Sequence, residues 1–180
     1  MKRIISILLA VLMMFSFAGC RLSSPQKDLD AMLVALKSGD IESLAALSDQ
    51  EDFDLEGQEQ MVSIFSSLSW KFGETVEVDE DDARVNVQIT TKDMKDVFSE
   101  FMTQALSKAF QGEDMSEEAV SQMLIDIINA TEKTATFDVA VKMSLEEDGK
   151  WVIDEENEEF FNAITGGLMN VMSEYENMLK

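Results

Sequence analysis

The chain contains no histidine, one cysteine, one proline and one tyrosine, and its 14 basic residues are outnumbered by 36 acidic ones. Each shortage excludes something. Without histidine, the commonest general base and metal ligand is missing, so Ser-His and Cys-His catalysis are ruled out and zinc or copper sites are disfavoured. A lone cysteine, Cys20, can form no internal disulfide. The formal charge of −22 repels phosphate backbones, which argues against nucleic-acid partners. No glycine-rich phosphate loop occurs, and no apolar run reaches the roughly 20 residues that span a bilayer as a helix.

What is present begins with an export signal. Lys2 and Arg3 precede an apolar run from Ile4 to Phe17, broken only by Ser6 and Ser16. The small residues Ala18 and Gly19 follow, then Cys20. This is the three-part layout of a signal peptide, with cleavage expected after Gly19. One reading makes Cys20 an ordinary thiol beside the cut of a secretory signal. The other rests on a resemblance: Phe17-Ala18-Gly19-Cys20 is similar to the bacterial lipoprotein signal, with Phe where that family usually carries Leu. The resemblance implies residues 1–19 as signal and a diacylglyceryl group, such as one carrying palmitate, on Cys20. It also implies a cell-membrane location on the extracytoplasmic face. Two acyl chains suffice for stable anchoring, since each buried methylene contributes about 0.8 kcal/mol.

Beyond Cys20, the 14 basic residues less Lys2 and Arg3 leave 12 against all 36 acids, a formal charge of −24. Residues 20–26 read as the lipidated cysteine and a polar tether, and 27–180 as one domain. Pro25 suits a first helical position. Leu29, Met32, Leu33 and Leu36 then recur at helical spacing up to Gly39. Asp40 is placed to cap a short second helix through Ile41, Leu44 and Leu47, and a third is expected over Gln58 to Ser67.

From Trp70 the period falls to two. Trp70, Phe72, Val76 and Val78 alternate with polar residues, the acidic run Asp79 to Asp82 turns the chain, and Ala83, Val85, Val87 and Ile89 alternate again. A helical hairpin over about 93–130 follows. Its first stripe holds Met94, Val97, Phe98, Phe101, Met102, Ala105, Leu106, Ala109 and Phe110; its second holds Met123, Leu124, Ile127 and Ile128. Ala135, Phe137, Val139, Val141, Met143 and Leu145 form a long strand, which Asp148-Gly149 turns toward Trp151 and Ile153. A last helix is expected from about Glu156 to Met178, with Phe160, Phe161, Ile164, Leu168, Val171, Met172 and Tyr175 buried. The expected fold is therefore α+β: a single domain with a curved antiparallel sheet of about four strands, N-terminal helices, an inserted helical hairpin and a long C-terminal helix.

Ala35-Leu36-Lys37-Ser38-Gly39-Asp40-Ile41-Glu42-Ser43-Leu44 and Gly149-Lys150-Trp151-Val152-Ile153 resemble the nuclear-transport-factor-two-like domains. There a first helix ends in a Gly-Asp turn and a long strand ends in a similar motif. The resemblance implies a curved sheet able to open a ligand cavity. The inserted hairpin and the C-terminal helix depart from that family and are placed to fill or cover such a cavity.

Few residues suggest chemistry. Asp52, Asp54 and Glu56, followed by Gly57, have the opening rhythm of a calcium loop. The twelfth position is Ser63, however, so an acidic loop leading into a helix accounts for them as well. Glu74 falls on the apolar side of its strand when counted by twos from Trp70. It either points into a pocket as an acid or ligand anchor, or is turned outward by a bulge at Gly73. The acids around Asp79 and around Glu156 suit a solvated turn and a helix start. Met94, Met102, Met123, Met169 and Met172 fit core stripes better than a soft-metal site or an adaptable groove. No catalytic residue and no cofactor beyond the lipid is expected. The expected role is a non-catalytic module binding a ligand or envelope partner; the alternatives are an assembly lipoprotein without a small-molecule pocket, and a carboxylate enzyme built on Glu74.

Overall fold

In the computed structural model, residues 24–39, 58–77, 79–113, 115–154 and 156–178 are described. Cys20, Gly19 and the rest of the signal, the helix expected after Asp40, the loop of Asp52, Asp54 and Glu56, Val78 and Glu155 lie outside them.

The first helix, α1 (Pro25–Ser38), starts as its sequence demands. Ser24 caps it by accepting from the Lys27 N–H at 3.3 Å, and Pro25 takes the first turn. Gly39 ends it at a φ of 67°, where the absent Cβ removes the strain. Leu29, Leu33 and Leu36 form its buried stripe. The next described helix is α2 (Gln58–Phe65), which delivers Ile64 and Phe65 to the same core, with Leu68 following in the turn before the sheet.

The sheet is a four-stranded antiparallel meander, β1 (Ser69–Glu77), β2 (Asp82–Lys92), β3 (Thr134–Leu145) and β4 (Trp151–Ile153), in that order. Its buried face carries Ala83, Val85, Val87 and Ile89 from β2 with Val139, Val141 and Met143 from β3. The β2–β3 register runs from Asp82↔Ser144 to Lys92↔Thr134 without a break. In β1 it slips between Phe72 and Thr75, so Gly73 and Glu74 together oppose Asn86. This bulge inverts the alternation. Trp70 and Phe72 pack against the core, but beyond the slip Thr75 lies opposite buried Val85 and Val76 is exposed. A period-two count from Trp70 places Val76 inward, and the bulge turns it out.

Between β2 and β3 stand α3 (Met94–Gln111) and α4 (Glu117–Ala130), capped by Asp93 and Ser116, with Gly112 ending α3 at a φ of 69°. Met94, Val97, Met123, Ile127 and Ile128 join the core. The outer half of the α3 stripe does not: Leu106 is exposed and Phe110 is 89% exposed. The C-terminal helix meets α3 at Lys95, Phe98 and Met102, on the half of α3 away from Leu106 and Phe110.

The C-terminal helical segment comes in two pieces, α5 (Glu158–Ile164) and α6 (Leu168–Met178). They are separated at Gly166 and Gly167, both with positive φ. Gly166 sits so close to β2 that a Cβ there would stand 2.1 Å from the Lys92 carbonyl oxygen. The break reorients α6, so Met169 and Met172, expected inside, are exposed while Val171 is buried; within α5, Phe161, also expected inside, is exposed beside buried Phe160, Ala163 and Ile164. The whole is one α+β domain whose core lies between one face of the sheet and the helices.

Candidate functional site

Glu74 is exposed. The bulge turns it to solvent, and its backbone carbonyl accepts from the Asn86 side chain at 2.9 Å. A Cβ on Gly73 would lie 3.3 Å from Cβ of Asn86, so glycine lets the bulged strand approach β2 this closely. The outward reading of Glu74 is the one realised, and the buried carboxylate that an enzymatic role needed is absent at this position. The neighbouring Thr75 Oγ1 is buried and has no hydrogen-bond partner among the described residues.

The region where the resemblance implied a cavity is filled by side chains. Phe160 from α5, Leu29 and Leu33 from α1, Leu68, Ile89 from β2 and Ile128 from α4 are each less than 2% exposed. Close packing of this kind leaves no room for a ligand among them. Among the described residues, open depressions lie on the outside. One of about 510 Å³ runs between α3 and α4, past Gln104, Lys108, Met115, Ala119, Met123 and Ile127. Another, of about 470 Å³, lies on the solvent face of the sheet over Lys71, Gly73, Asn86, Gln88, Asp138 and Ala140. A third, of about 900 Å³, borders β3 at Arg84, Ala140, Lys142, Asn157, Glu158 and Glu159.

Two residues that the sequence did not single out organise the sheet margins. Lys92, at the end of β2, donates from Nζ to the carbonyls of Ile128, Asn129 and Thr131, at 2.5, 3.2 and 3.0 Å. It supplies the cation that the last turn of α4 lacks. Asn157 is buried and behaves as a strand residue. Its Oδ1 accepts from the Lys142 N–H at 2.9 Å and its Nδ2 donates to the Lys142 carbonyl at 2.9 Å, just past the end of β4.

Electrostatic perturbations occur at structural ties. A hydrogen bond and the charge of Asp96 raise the Lys133 ammonium above its ordinary value. The Lys150 backbone N–H and then its side chain hold Asp148 below the usual carboxylate value in the β3–β4 turn. Among the described residues no group of three or more carboxylate or thiol side chains is arranged to hold a metal ion. Nor, among them, is any helix long and apolar enough to cross a membrane.

No protein-family model and no curated protein matches the sequence. One solved structure, a "putative lipoprotein" (ycdA) from Bacillus subtilis, is similar over 75% of this chain and 44% of its own, with 15% identity and a TM-score of 0.44. This chain thus spans less than half the length of that protein.

Proposed function

We propose that the protein is a lipoprotein held on the extracytoplasmic face of the cell membrane by diacylglycerol on Cys20, and that its domain is a non-catalytic module recognising an envelope protein at its surface. The anchoring half rests on the signal layout ending in Ala18-Gly19-Cys20. The domain half rests on one observation: the space inside the sheet is occupied by Phe160, Leu33, Ile89 and Ile128. A small-molecule binder needs a concave, mostly apolar pocket, whereas the three depressions described above are open and external.

The same reading assigns the domain to the nuclear-transport-factor-two-like group in a closed form. Its supports are the first helix ending at Gly39, the hairpins, and the Gly149 to Ile153 motif. An assembly lipoprotein shares the filled interior and differs only in having a structural partner. A carboxylate enzyme has lost its named candidate, since Glu74 faces solvent.

Two measurements test this. Cys20→Ser in the full chain should move the protein from the membrane fraction to the soluble one. Retention on the membrane would end the lipid-anchor reading. A melting-temperature screen against sugars, lipids, cell-wall fragments and calcium should be flat. A compound at 100 times its Kd adds about 2.7 kcal/mol, so a reproducible rise of several degrees would replace the protein partner with that compound.

A further inference from the structure

Two strands of the sheet leave backbone groups unpaired along one side, and they are built differently. β1 carries the Gly73–Glu74 bulge, a device that keeps an edge from pairing with other chains. β3 has no bulge, proline or glycine, and β4 covers only Met143 to Leu145 of it.

The direction of the backbone groups along β3 follows from Lys142. Its N–H meets Asn157 Oδ1, and its carbonyl meets the Asn157 amide and the Asp154 N–H at 3.2 Å, all on the side away from β2. Backbone groups alternate sides along an antiparallel strand, so Thr136, Asp138 and Ala140 turn their N–H and C=O the same way. The Leu145 N–H, of the opposite parity, donates to the Asp81 carbonyl on the β2 side, as this requires. Among the described residues, nothing pairs with the outward groups of Thr136, Asp138 and Ala140. All three residues are exposed, and the depression of about 900 Å³ opens beside Ala140.

We infer that the edge of β3 from Thr136 to Ala140 is a docking site for an extended polypeptide segment of a partner protein, one bearing lysine or arginine, which adds to the sheet in line with Asn157. Strand addition satisfies in-register donors and acceptors of this kind. The charge preference comes from Asp138, Glu158 and Glu159 along the edge, which with Glu156 outnumber the neighbouring Lys71, Arg84 and Lys142, the last of these lying 4.0 Å from Glu156. A second copy of the chain fits poorly. Two such edges paired about Asp138 would set carboxylates face to face, in a protein already carrying −22. The inference rests on the reading of the domain as a protein-binding module.

The test uses the full-length protein and a nine-residue probe, Lys-Val-Thr-Val-Lys-Val-Thr-Val-Lys, with a copy N-methylated at alternate residues. Hydrogen exchange read by mass spectrometry should slow at the amides of Thr136, Asp138 and Ala140 when the probe is present. Ala140→Pro, which removes an outward N–H that the fold does not use, should weaken probe binding about tenfold with little change in melting. Should that variant melt early, the N-methylated probe makes the same comparison on the unaltered chain, and it should fail to protect these amides. Absent protection at saturating probe overturns the site. So does equal binding by the N-methylated probe, which would mean charge attraction alone. Protection that grows with protein concentration without probe would replace the partner by a second copy. A flat melting screen with an unprotected edge sinks this site and leaves the surface-binding reading standing, whereas a small-molecule shift ends that reading whatever the edge does.

Discussion

Asp30 on α1 accepts a hydrogen bond from the indole Nε1 of Trp70 on β1 at 2.8 Å. Two turns further along α1, the Lys37 ammonium lies 5.9 Å from the centre of the same ring, and at the other end Asp28 accepts from the Trp151 N–H at 2.9 Å. The helix that follows the tether is thereby fastened to both outer strands of the sheet. Cys20 precedes the cap residue Ser24 by four positions, a reach of about 14 Å when extended. Anchoring at Cys20 would therefore hold the whole sheet close to the bilayer.

Asp30→Ala should cost about 1–3 kcal/mol, because it leaves a half-buried indole N–H without its charged acceptor. Asp30→Asn, which keeps an acceptor, should cost less. Urea titration followed by tryptophan fluorescence measures both, and equal stability of all three proteins would show the bond to be idle.

Lys92→Met retains the aliphatic stem but strips three carbonyls at the end of α4 of their shared donor. The expected loss is about 1–3 kcal/mol. Hydrogen exchange should accelerate in the last turn of α4 before the sheet is affected.

Lys92 marks the limit of what the one-dimensional pattern makes legible. The strands were visible because one buried face imposes a period of two on Ala83 to Ile89 and on Ala135 to Leu145. The helix start at Pro25 and the stop at Gly39 are legible because their chemistry is local. Lys92 and Asn157 are not, since their partners lie 36 and 15 residues away and nothing in a one-dimensional pattern marks a lysine that caps a distant helix. A bulge at Gly73 is legible from the misplaced Glu74, but the outward turn of Val76 is not, because one extra residue reverses the parity of everything after it. Leu106 and Phe110 fit a helical stripe without being buried. Periodicity reports a face, and only the length of the neighbouring helix decides how much of that face is covered.

Gly166→Ala should be among the most damaging single changes. The new Cβ meets the Lys92 carbonyl oxygen at 2.1 Å, at a φ of 66° that an L side chain disfavours. Backbone on both sides cannot yield cheaply, so a loss above about 3 kcal/mol, or failure to fold, is expected. Gly167→Ala has its nearest neighbour in the Phe137 ring at 3.3 Å and a φ of 83°. A side chain can shift, so about 1–2 kcal/mol is expected there. Thermal melts of the two variants should rank in that order.

The Lys133–Asp96 tie predicts a contribution to stability that depends on pH. The folded pKa of Lys133 is raised above 10.5, so the stabilisation is complete below that value and is lost as pH rises through the folded one. Lys133→Gln should remove this alkaline component from the melting profile. Asp148 has the opposite sign. Its folded pKa lies below 3.8, so its contribution is present above that value and disappears as pH falls through the folded one. Asp148→Asn should flatten the acid limb by a small amount, since both groups are exposed and screened.

The intact mass of the protein isolated from membranes tests the anchor most directly. The expected result is a chain beginning at Cys20, residues 20–180, heavier than its sequence by a diacylglyceryl thioether on that cysteine. A chain that begins elsewhere, or one that begins at Cys20 with a free thiol, would contradict it.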